Sequence, residues 1–189
     1  MLTAALDQLE EFGYERLSMD QVARRAGVGK AALYRRWSGK LEMVVDALAG
    51  LRDPLPQKIE LDSLEATVCA LLNGVLDWLQ TPRIVRVLPD LIAQAQRQPV
   101  LAAIMREQIG GPRRGLAEES LRPWTTADQA GQTTRELALD LLAAPIYWRL
   151  SQQLPVDEGY VDRLADLIVG LLRATRSGSG DPRGAEQTT

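Results

Sequence analysis

The 189-residue sequence predicts an all-α fold with about nine helices, in which a headpiece of short helices precedes a bundle of longer ones. Hydrophobic residues make up 46% of the chain, which is enough to bury a sizeable core. Alanine, leucine and arginine are abundant while β-branched residues are sparse, and this balance favours helices over strands. Apolar residues also recur with a helical period, as Leu2, Leu6, Leu9 and Phe12 do at the start of the chain.

Four short helices are expected in the headpiece, residues 1–50. Gly13 is expected to end the first helix as a C-cap, and Gly27 to end the second. Ser18 lies at the N-cap position of the second helix, and Gln21, three residues later, completes the pattern of a capping box. The expected helices cover residues 2–12, 19–26, 30–37 and 40–50.

Longer helices are expected in the body, residues 51–176, which a proline-rich linker at residues 52–56 joins to the headpiece. Pro89 and Pro145 lie inside two of these helices and predict kinks there. The sequence Gly110-Gly111-Pro112 predicts a break in a third. The expected body helices cover residues 61–80, 83–96, 100–121, 133–153 and 157–176, with a loop over 123–132 and a disordered tail over 177–189.

Positive charge is concentrated in one part of the chain. The net charge of the whole sequence is −3, which by itself argues against a nucleic-acid partner. Residues 16–40, in contrast, contain a single acidic residue, Asp20, and a row of basic residues. Because a phosphate backbone responds to the local field of a protein, this segment predicts double-stranded DNA as a partner. The basic residues are Arg16, Arg24, Arg25, Lys30, Arg35, Arg36 and Lys40.

The segment from Ser18 to Trp37 has the pattern of a helix-turn-helix. Two short helices must cross closely in this motif, and Ala23 supplies a small side chain at the crossing. Gly27, four residues later, supplies the positive φ that the tight turn needs. The apolar seam beneath the two helices is expected to consist of Val22, Ala26, Val28 and Leu33.

The third helix, residues 30–37, is the expected reading helix. Such a helix enters the major groove and presents its N-terminal half to base edges. Lys30 and Tyr34 are about one turn apart and share a face. Ser18 and Lys40 lie where the second and fourth helices begin, and there a polar or positive side chain and free N–H groups together favour a phosphate.

A series of residues with a fixed order and spacing runs through the headpiece. It consists of Leu2-Thr3-Ala4-Ala5, Phe12-Gly13-Tyr14, Val22-Ala23-x-x-Ala26-Gly27-Val28-x-Lys30, Leu33-Tyr34-Arg35 and Lys40. This series resembles the headpiece of the tetracycline-repressor (TetR) family. The resemblance implies a sequence-specific DNA-binding regulator, usually a repressor. By position it also implies DNA contacts for Lys30, Ala31, Tyr34 and Lys40, with Arg35 and Arg36 as further candidates.

Three features depart from the family pattern. Gly29 stands where the family usually has serine or threonine, so one N-cap and phosphate contact is expected to be missing. Trp37 replaces the usual phenylalanine. No basic arm precedes Leu2 in this sequence, so either the native chain starts earlier or the contacts of the arm are missing.

The last two helices carry more apolar surface than one chain needs for its own core. In the last helix, two neighbouring apolar stripes begin at Tyr160 and Val161. One stripe can cover the core of the chain itself, and the other is expected to pack against a partner chain. Two such helices from each of two chains predict the four-helix interface of a homodimer, as the resemblance also implies. Two reading helices about 34 Å apart then suit a palindromic operator. The expected interface residues are Ile146, Leu150, Val161, Leu164, Ile168, Leu171 and Leu172.

The remaining long helices are expected to surround a pocket for a small-molecule effector. Few polar side chains occur at the expected lining positions, so the ligand is expected to be largely apolar. Its binding would favour a spacing of the two headpieces that does not fit the operator, which couples the two sites. The expected lining residues are Trp78, Leu88, Ile92, Met105, Ile109, Leu141 and Trp148.

Other function classes are disfavoured by what the sequence lacks. Histidine is absent, and no nucleophile elbow, phosphate-binding loop, dinucleotide fingerprint or metal-ligand cluster occurs, so we expect no enzyme, no cofactor and no metal. A single cysteine, no signal peptide and no apolar run of about 18 residues predict a cytoplasmic protein without a membrane segment. An enzyme built on a carboxylate pair and a ligand-independent regulator with a solid body remain as alternatives.

Overall fold

The computed structural model describes residues 1–49 and 55–178, and within these residues it contains helices and no strand. The all-α prediction is therefore confirmed. Most of the predicted linker (52–54) and of the predicted tail (179–189) lies outside the described residues.

The headpiece helices follow the predicted ones closely, with one difference at Gly13. This glycine has the expected left-handed backbone (φ 73°) and breaks the helix, but the chain then makes one more helical turn, as far as Arg16. Gly27 also has the expected positive φ, 65°. The four helices are α1 (Leu2–Arg16), α2 (Met19–Arg25), α3 (Lys30–Arg36) and α4 (Lys40–Ala49).

The body consists of longer helices that continue through both internal prolines, Pro89 and Pro145. A π-helical turn at Arg106–Gly110 joins two of these helices into one continuous run near the predicted break. A 3₁₀ turn follows at Arg122–Trp124. The helices are α5 (Leu64–Gln80), α6 (Pro82–Ala95), α7 (Pro99–Met105), α8 (Gly111–Leu121), α9 (Gln129–Ser151) and α10 (Glu158–Gly178).

Helix α9 begins four residues earlier than predicted, at Gln129, because Asp128 caps it. The Asp128 carboxylate accepts hydrogen bonds from the Gly131 backbone N–H (2.8 Å) and from the Thr126 hydroxyl (2.6 Å). These two bonds lower the pKa of Asp128 below its ordinary value, the Thr126 bond having the larger effect. The predicted loop over residues 123–132 is therefore wrong in its last part, where an aspartate N-cap starts a helix.

The described residues form two compact units. Unit 1 contains the headpiece, up to Leu55, together with residues 78–114, and unit 2 contains residues 56–77 and the described residues from 115 onward. Helices α6 and α7 and the π-helical turn therefore pack with the headpiece in one unit. The predicted division of the chain at residue 50 stays a prediction.

Unit 1 has a single apolar core to which both the headpiece and α6, α7 and the π-helical turn contribute. Helix α1 lies at its centre and packs against α4 on one side and α6 on another. Leu33 and Trp37 are buried there, and the Trp37 indole donates a hydrogen bond of 2.8 Å to Asp46. Residues from α6 onward that join this core are Val87, Leu91, Leu101 and Ile109.

Unit 2 is built around the packing of α9 against α10. One apolar stripe of α10 lies entirely in its interior, as the sequence pattern predicts for one of the two stripes. The stripe consists of Val161, Ala165, Ile168 and Leu172, and Ile146 of α9 is buried in the same unit.

Candidate nucleic-acid interface

The helix-turn-helix forms as the sequence predicts. The positive φ of Gly27 lets the chain reverse between α2 and α3, and the Val28 N–H closes the turn on the Ala23 carbonyl at 3.0 Å. Val22, Ala23 and Leu33 are buried in the seam, and Ala26 and Val28 pack against it. This rigid base fixes the orientation of α3 relative to α2.

One face of α3 is exposed while the opposite face is anchored in the core by Leu33. Tyr34 is 51% exposed, so its ring is accessible on this face of α3. Lys30, Ala31 and Arg35 are also exposed. The four residues that the sequence predicts on the reading helix are thus on its accessible surface.

Lys30 forms an exposed ion pair with Asp20 of α2. An exposed pair of this kind contributes little stability, so a phosphate or a guanine can compete for the ammonium group at low cost. The ion pair holds the Lys30 side chain, at the first residue of α3, beside Asp20 of α2.

Ser18 occupies the N-cap position of α2 with an extended backbone (φ −124°, ψ 126°), as predicted. Its side chain makes no capping hydrogen bond with the described residues, so the capping box expected with Gln21 is wrong. The spacing of the two residues fixes their positions on the helix but not the rotamers that a capping box needs.

Lys40 points into the headpiece. Its ammonium donates hydrogen bonds to the backbone carbonyls of Tyr14 (2.9 Å) and Glu15 (3.1 Å), and it lies 4.5 Å from the centre of the Tyr14 ring. The phosphate contact expected of Lys40 stays a prediction.

A cluster of ion pairs between α1, α2 and α6 was not foreseen in the sequence. Asp7 lies between Arg25 of α2 (3.7 Å) and Arg83 of α6 (2.7 Å), and Glu10 also contacts Arg83 (3.2 Å). Glu11 pairs with Arg25 at 2.7 Å, and this pairing raises the pKa of the arginine. The helical spacing of the acidic residues in α1 indicates that they share a face, but it does not identify their partners, which lie up to 76 residues away in the sequence.

Comparison with known proteins decides the family. Residues 1–47 match the family described as bacterial regulatory proteins, tetR family, and residues 59–168 match the family described as tetracyclin repressor-like, C-terminal domain. The chain belongs to the TetR family. It is therefore a DNA-binding transcriptional regulator, and the headpiece resemblance seen in the sequence is confirmed.

Relatives match over nearly the whole chain of this TetR-family regulator. The DNA-binding transcriptional repressor TetR of Mycobacteroides abscessus is 29% identical over 177 residues, which cover 91% of each protein. The HTH-type transcriptional regulator YdeS of Bacillus subtilis is 29% identical over 184 residues, 95% of this chain and 89% of its own. Among solved structures, the TetR-family regulator SCO0332 is 26% identical with a TM-score of 0.63, covering 89% of this chain and 94% of its own.

The predicted pocket residues fall in both units. Trp78, Leu88, Ile92, Met105 and Ile109 belong to unit 1, whereas Leu141 and Trp148 belong to unit 2. Ile109 is part of the unit 1 core, and Trp78 and Met105 pack against it. Trp148 is 63% exposed in this protomer, so its indole is on the surface of α9.

A cleft of about 230 Å³ opens in unit 2. It is lined by Asp62, Ser63, Leu64, Glu65, Trp124 and Arg173. None of the side chains predicted to hold an effector contributes to it. Among the described residues, no helix is long and apolar enough to cross a membrane, and no cluster of three potential metal ligands occurs.

The predicted dimer residues lie mostly on the inner side of α9 and α10. Five of the seven are buried within the protomer, namely Ile146, Val161, Leu164, Ile168 and Leu172, while Leu150 and Leu171 are half-buried. The large apolar residues that these two helices expose are Leu137, Trp148 and Leu167. Adjacent stripes on a helix differ by a single position in the sequence, and the predicted interface stays a prediction.

Proposed function

We propose that this TetR-family regulator is a homodimeric repressor that binds a palindromic operator and is released from it by a small, largely apolar ligand. The observation that carries the proposal is the exposed face of α3, held on a helix-turn-helix and surrounded by arginine and lysine side chains. The relative from Mycobacteroides abscessus, a DNA-binding transcriptional repressor, supports repression as the output.

The N-terminal half of α3 would enter the major groove. Lys30 would leave Asp20 and donate to the acceptors of a guanine, and Ala31 is small enough to approach a thymine methyl group. Tyr34 would pack on a base or donate a hydrogen bond to a phosphate, and the neighbouring Arg35 would contact the sugar-phosphate backbone of the DNA. The Ser18 hydroxyl at the start of α2 is placed for a further phosphate.

The exposed apolar residues of α9 and α10 support a dimer. Leu137, Leu141 and Trp148 follow helical spacing along α9, and Leu167 is 58% exposed on α10, which packs against α9. Water contact with several large apolar side chains on one helix pair is unfavourable, and a second copy of the same pair removes it. We therefore assign the interface to this outward stripe.

Trp78 supports the ligand part of the proposal. Its indole N–H is buried and has no acceptor among the described residues, and the guanidinium of Arg113 stacks on its ring at 3.8 Å. A buried donor without a partner is costly, so a ligand that offers an acceptor would be favoured there. Two solved structures of this fold point to planar aromatic ligands: one is named a flavonoid-responsive regulator (21% identical, TM-score 0.71), and the multidrug binding protein EbrR (21%, 0.61) is complexed with proflavin.

Selection from a pool of random duplexes tests the DNA part of the proposal. The purified protein should enrich a sequence with two inverted half-sites about one helical turn apart. The logarithm of its affinity should fall linearly with the logarithm of the salt concentration, because several phosphates are contacted. Failure to enrich any motif would contradict operator recognition.

Release from the selected duplex tests the ligand part. Planar aromatic compounds, beginning with proflavin, should displace the protein, and Trp78→Phe should raise the concentration required by about tenfold because it removes the N–H but keeps a smaller aromatic ring at this position. If a broad panel of such compounds displaces nothing, the ligand-independent regulator with a solid body is the correct reading.

A further inference from the structure

We infer that Lys40 and Asp90 are positioning residues for DNA binding. Together they hold the last turn of α1, residues 13–16, from which the chain enters the helix-turn-helix. Lys40 then supports operator binding through this turn and not through a phosphate. The inference rests on the proposed operator binding and is independent of the ligand.

Asp90 holds the turn from the side of α6. Its carboxylate Oδ2 accepts a hydrogen bond of 2.6 Å from the Tyr14 backbone N–H, across 76 residues of sequence. Gly13 makes this approach possible, because a Cβ at its position would lie 2.9 Å from Oδ1 of the same carboxylate. Its φ of 73° is also one that other residues rarely adopt. A glycine at position 13 is therefore what allows the Asp90 carboxylate to bind this turn.

Lys40 holds the turn from the side of α4. Two of its three N–H donors are used by the carbonyls of Tyr14 and Glu15, which lie at the C-terminal end of α1 and carry its negative dipole end. Tyr14, whose N–H binds Asp90 and whose carbonyl binds Lys40, is 4% exposed, so both side chains hold the backbone of a buried residue. A lysine bound in this way has little freedom to turn towards a phosphate.

The turn determines where the DNA-binding motif begins. The Leu17 N–H bonds back to the carbonyl of Gly13 (3.2 Å), and Leu17 is buried immediately before Ser18, the first residue of the motif. A shift of residues 13–16 would therefore move the start of α2, and with it α3. Productive groove contacts depend on placement within a fraction of an ångström.

Salt dependence distinguishes a positioning lysine from a phosphate-binding one. Each phosphate contact contributes about −0.9 to the slope of log affinity against log salt concentration. Loss of a phosphate-binding lysine weakens binding and, because each of the two chains of the dimer loses a contact, makes the slope shallower by about two. Loss of a positioning lysine weakens binding through geometry and leaves the slope close to that of the wild type.

The experiment measures affinity for the selected duplex over a range of salt concentrations, well below the thermal midpoint of each variant. Lys40→Met and Asp90→Ala should each weaken binding about tenfold with an unchanged slope. Asp90→Asn should restore most of the affinity, because its amide oxygen still accepts from Tyr14. Arg35→Met, which removes the proposed contact of α3 with the DNA backbone, serves as the phosphate-contact reference, with a slope shallower by about two. Lys58→Met, on an exposed residue of unit 2, should change neither quantity.

Two results would overturn the inference. One is a slope that becomes shallower by about two in Lys40→Met, which would make Lys40 a phosphate contact in each chain. The other is wild-type affinity in Asp90→Ala. If Lys40→Met does not fold, Asp90→Ala and Asp90→Asn decide the matter, since the first must lower the affinity at an unchanged slope and the second must restore most of it. Absence of binding by the wild-type protein would instead contradict the proposed operator recognition.

Discussion

The headpiece and the α9–α10 pair bury their inner faces in the same way but expose opposite chemistry. In both, leucine, valine and alanine at helical spacing fill the interior. On the outside, α3 presents Lys30, Tyr34 and Arg35, whereas α9 and α10 present Leu137, Trp148 and Leu167. The interior explains why each region folds, and the exterior indicates what it binds.

This difference has a physical basis in the two partners. A duplex is a polyanion, so the surface that meets it gains from positive charge and from side chains that reach base edges. A second copy of the chain offers an apolar surface, and burial of leucine and tryptophan against it is favourable without any charge. A substitution on one of these surfaces should therefore leave the other intact.

The largest effect is expected from a charge on the apolar surface. Leu167→Glu would bury an unpaired carboxylate between two copies, so the dimer should dissociate at concentrations where the wild type is intact, and operator affinity should fall by more than about a hundredfold. Sedimentation and duplex titration measure the two effects. Val100→Glu, a matched change at an exposed apolar position of unit 1, should leave the dimer unaffected. A dimeric Leu167→Glu protein would place the interface elsewhere.

A smaller effect is expected from the reading surface. Tyr34→Ala should weaken operator binding by about thirtyfold, because each of two copies loses a contact, while the dimer stays intact. Tyr34→Phe separates the two roles of the side chain: it keeps the packing on a base and loses the hydroxyl. Wild-type affinity in Tyr34→Ala would remove this residue from the interface.

A change within the headpiece tests the link to α6. Gly13→Ala should lower the free energy of unfolding by about 1–3 kcal/mol, from the strained φ and from contact with Asp90. In an Asp90→Ala background the same substitution should cost less, because only the strained φ remains. Urea denaturation of the four proteins measures this coupling. Equal costs in the two backgrounds would show that the carboxylate does not press on the turn.

The smallest effect is expected in unit 2, at Asp128. Its pKa is lowered in the folded protein, so its contribution to stability is present above the unfolded pKa, near 4, and is lost as the pH falls through the folded value. Thermal midpoints at pH 7 and pH 3 should therefore differ less in Asp128→Asn than in the wild type. Operator binding at pH 7 should be unchanged by this variant, and a change would contradict the separation of the two surfaces.

The headpiece was more predictable from the sequence than the body, for a local reason. Gly27, Ala23 and the apolar seam each act on neighbours within a few residues, so their order and spacing carry the geometry of the helix-turn-helix. In α10, the two apolar stripes differ by one position, and the sequence does not indicate which of them the protomer buries. The predicted interface residues therefore included Ile168 and Leu172, which are fully buried.

Contacts between distant parts of the chain were not predictable. The bond from Tyr14 to Asp90 and the ion pair of Asp7 with Arg83 each span 76 residues, and no spacing rule connects their partners. The direction of Lys40 depends on a rotamer and on carbonyl groups that only the folded turn presents. Sequence order indicated its position at the start of α4 but not what its ammonium group binds.

Hydrogen exchange with and without the selected duplex tests the central claim most directly. The claim is that α3 of each of two chains enters the major groove of one duplex. Amides of residues 29–37 should exchange more slowly in the complex, with two chains bound per duplex, while those of α10 should be unchanged by DNA. Protection elsewhere in the chain with residues 29–37 unaffected, or one chain per duplex, would contradict it.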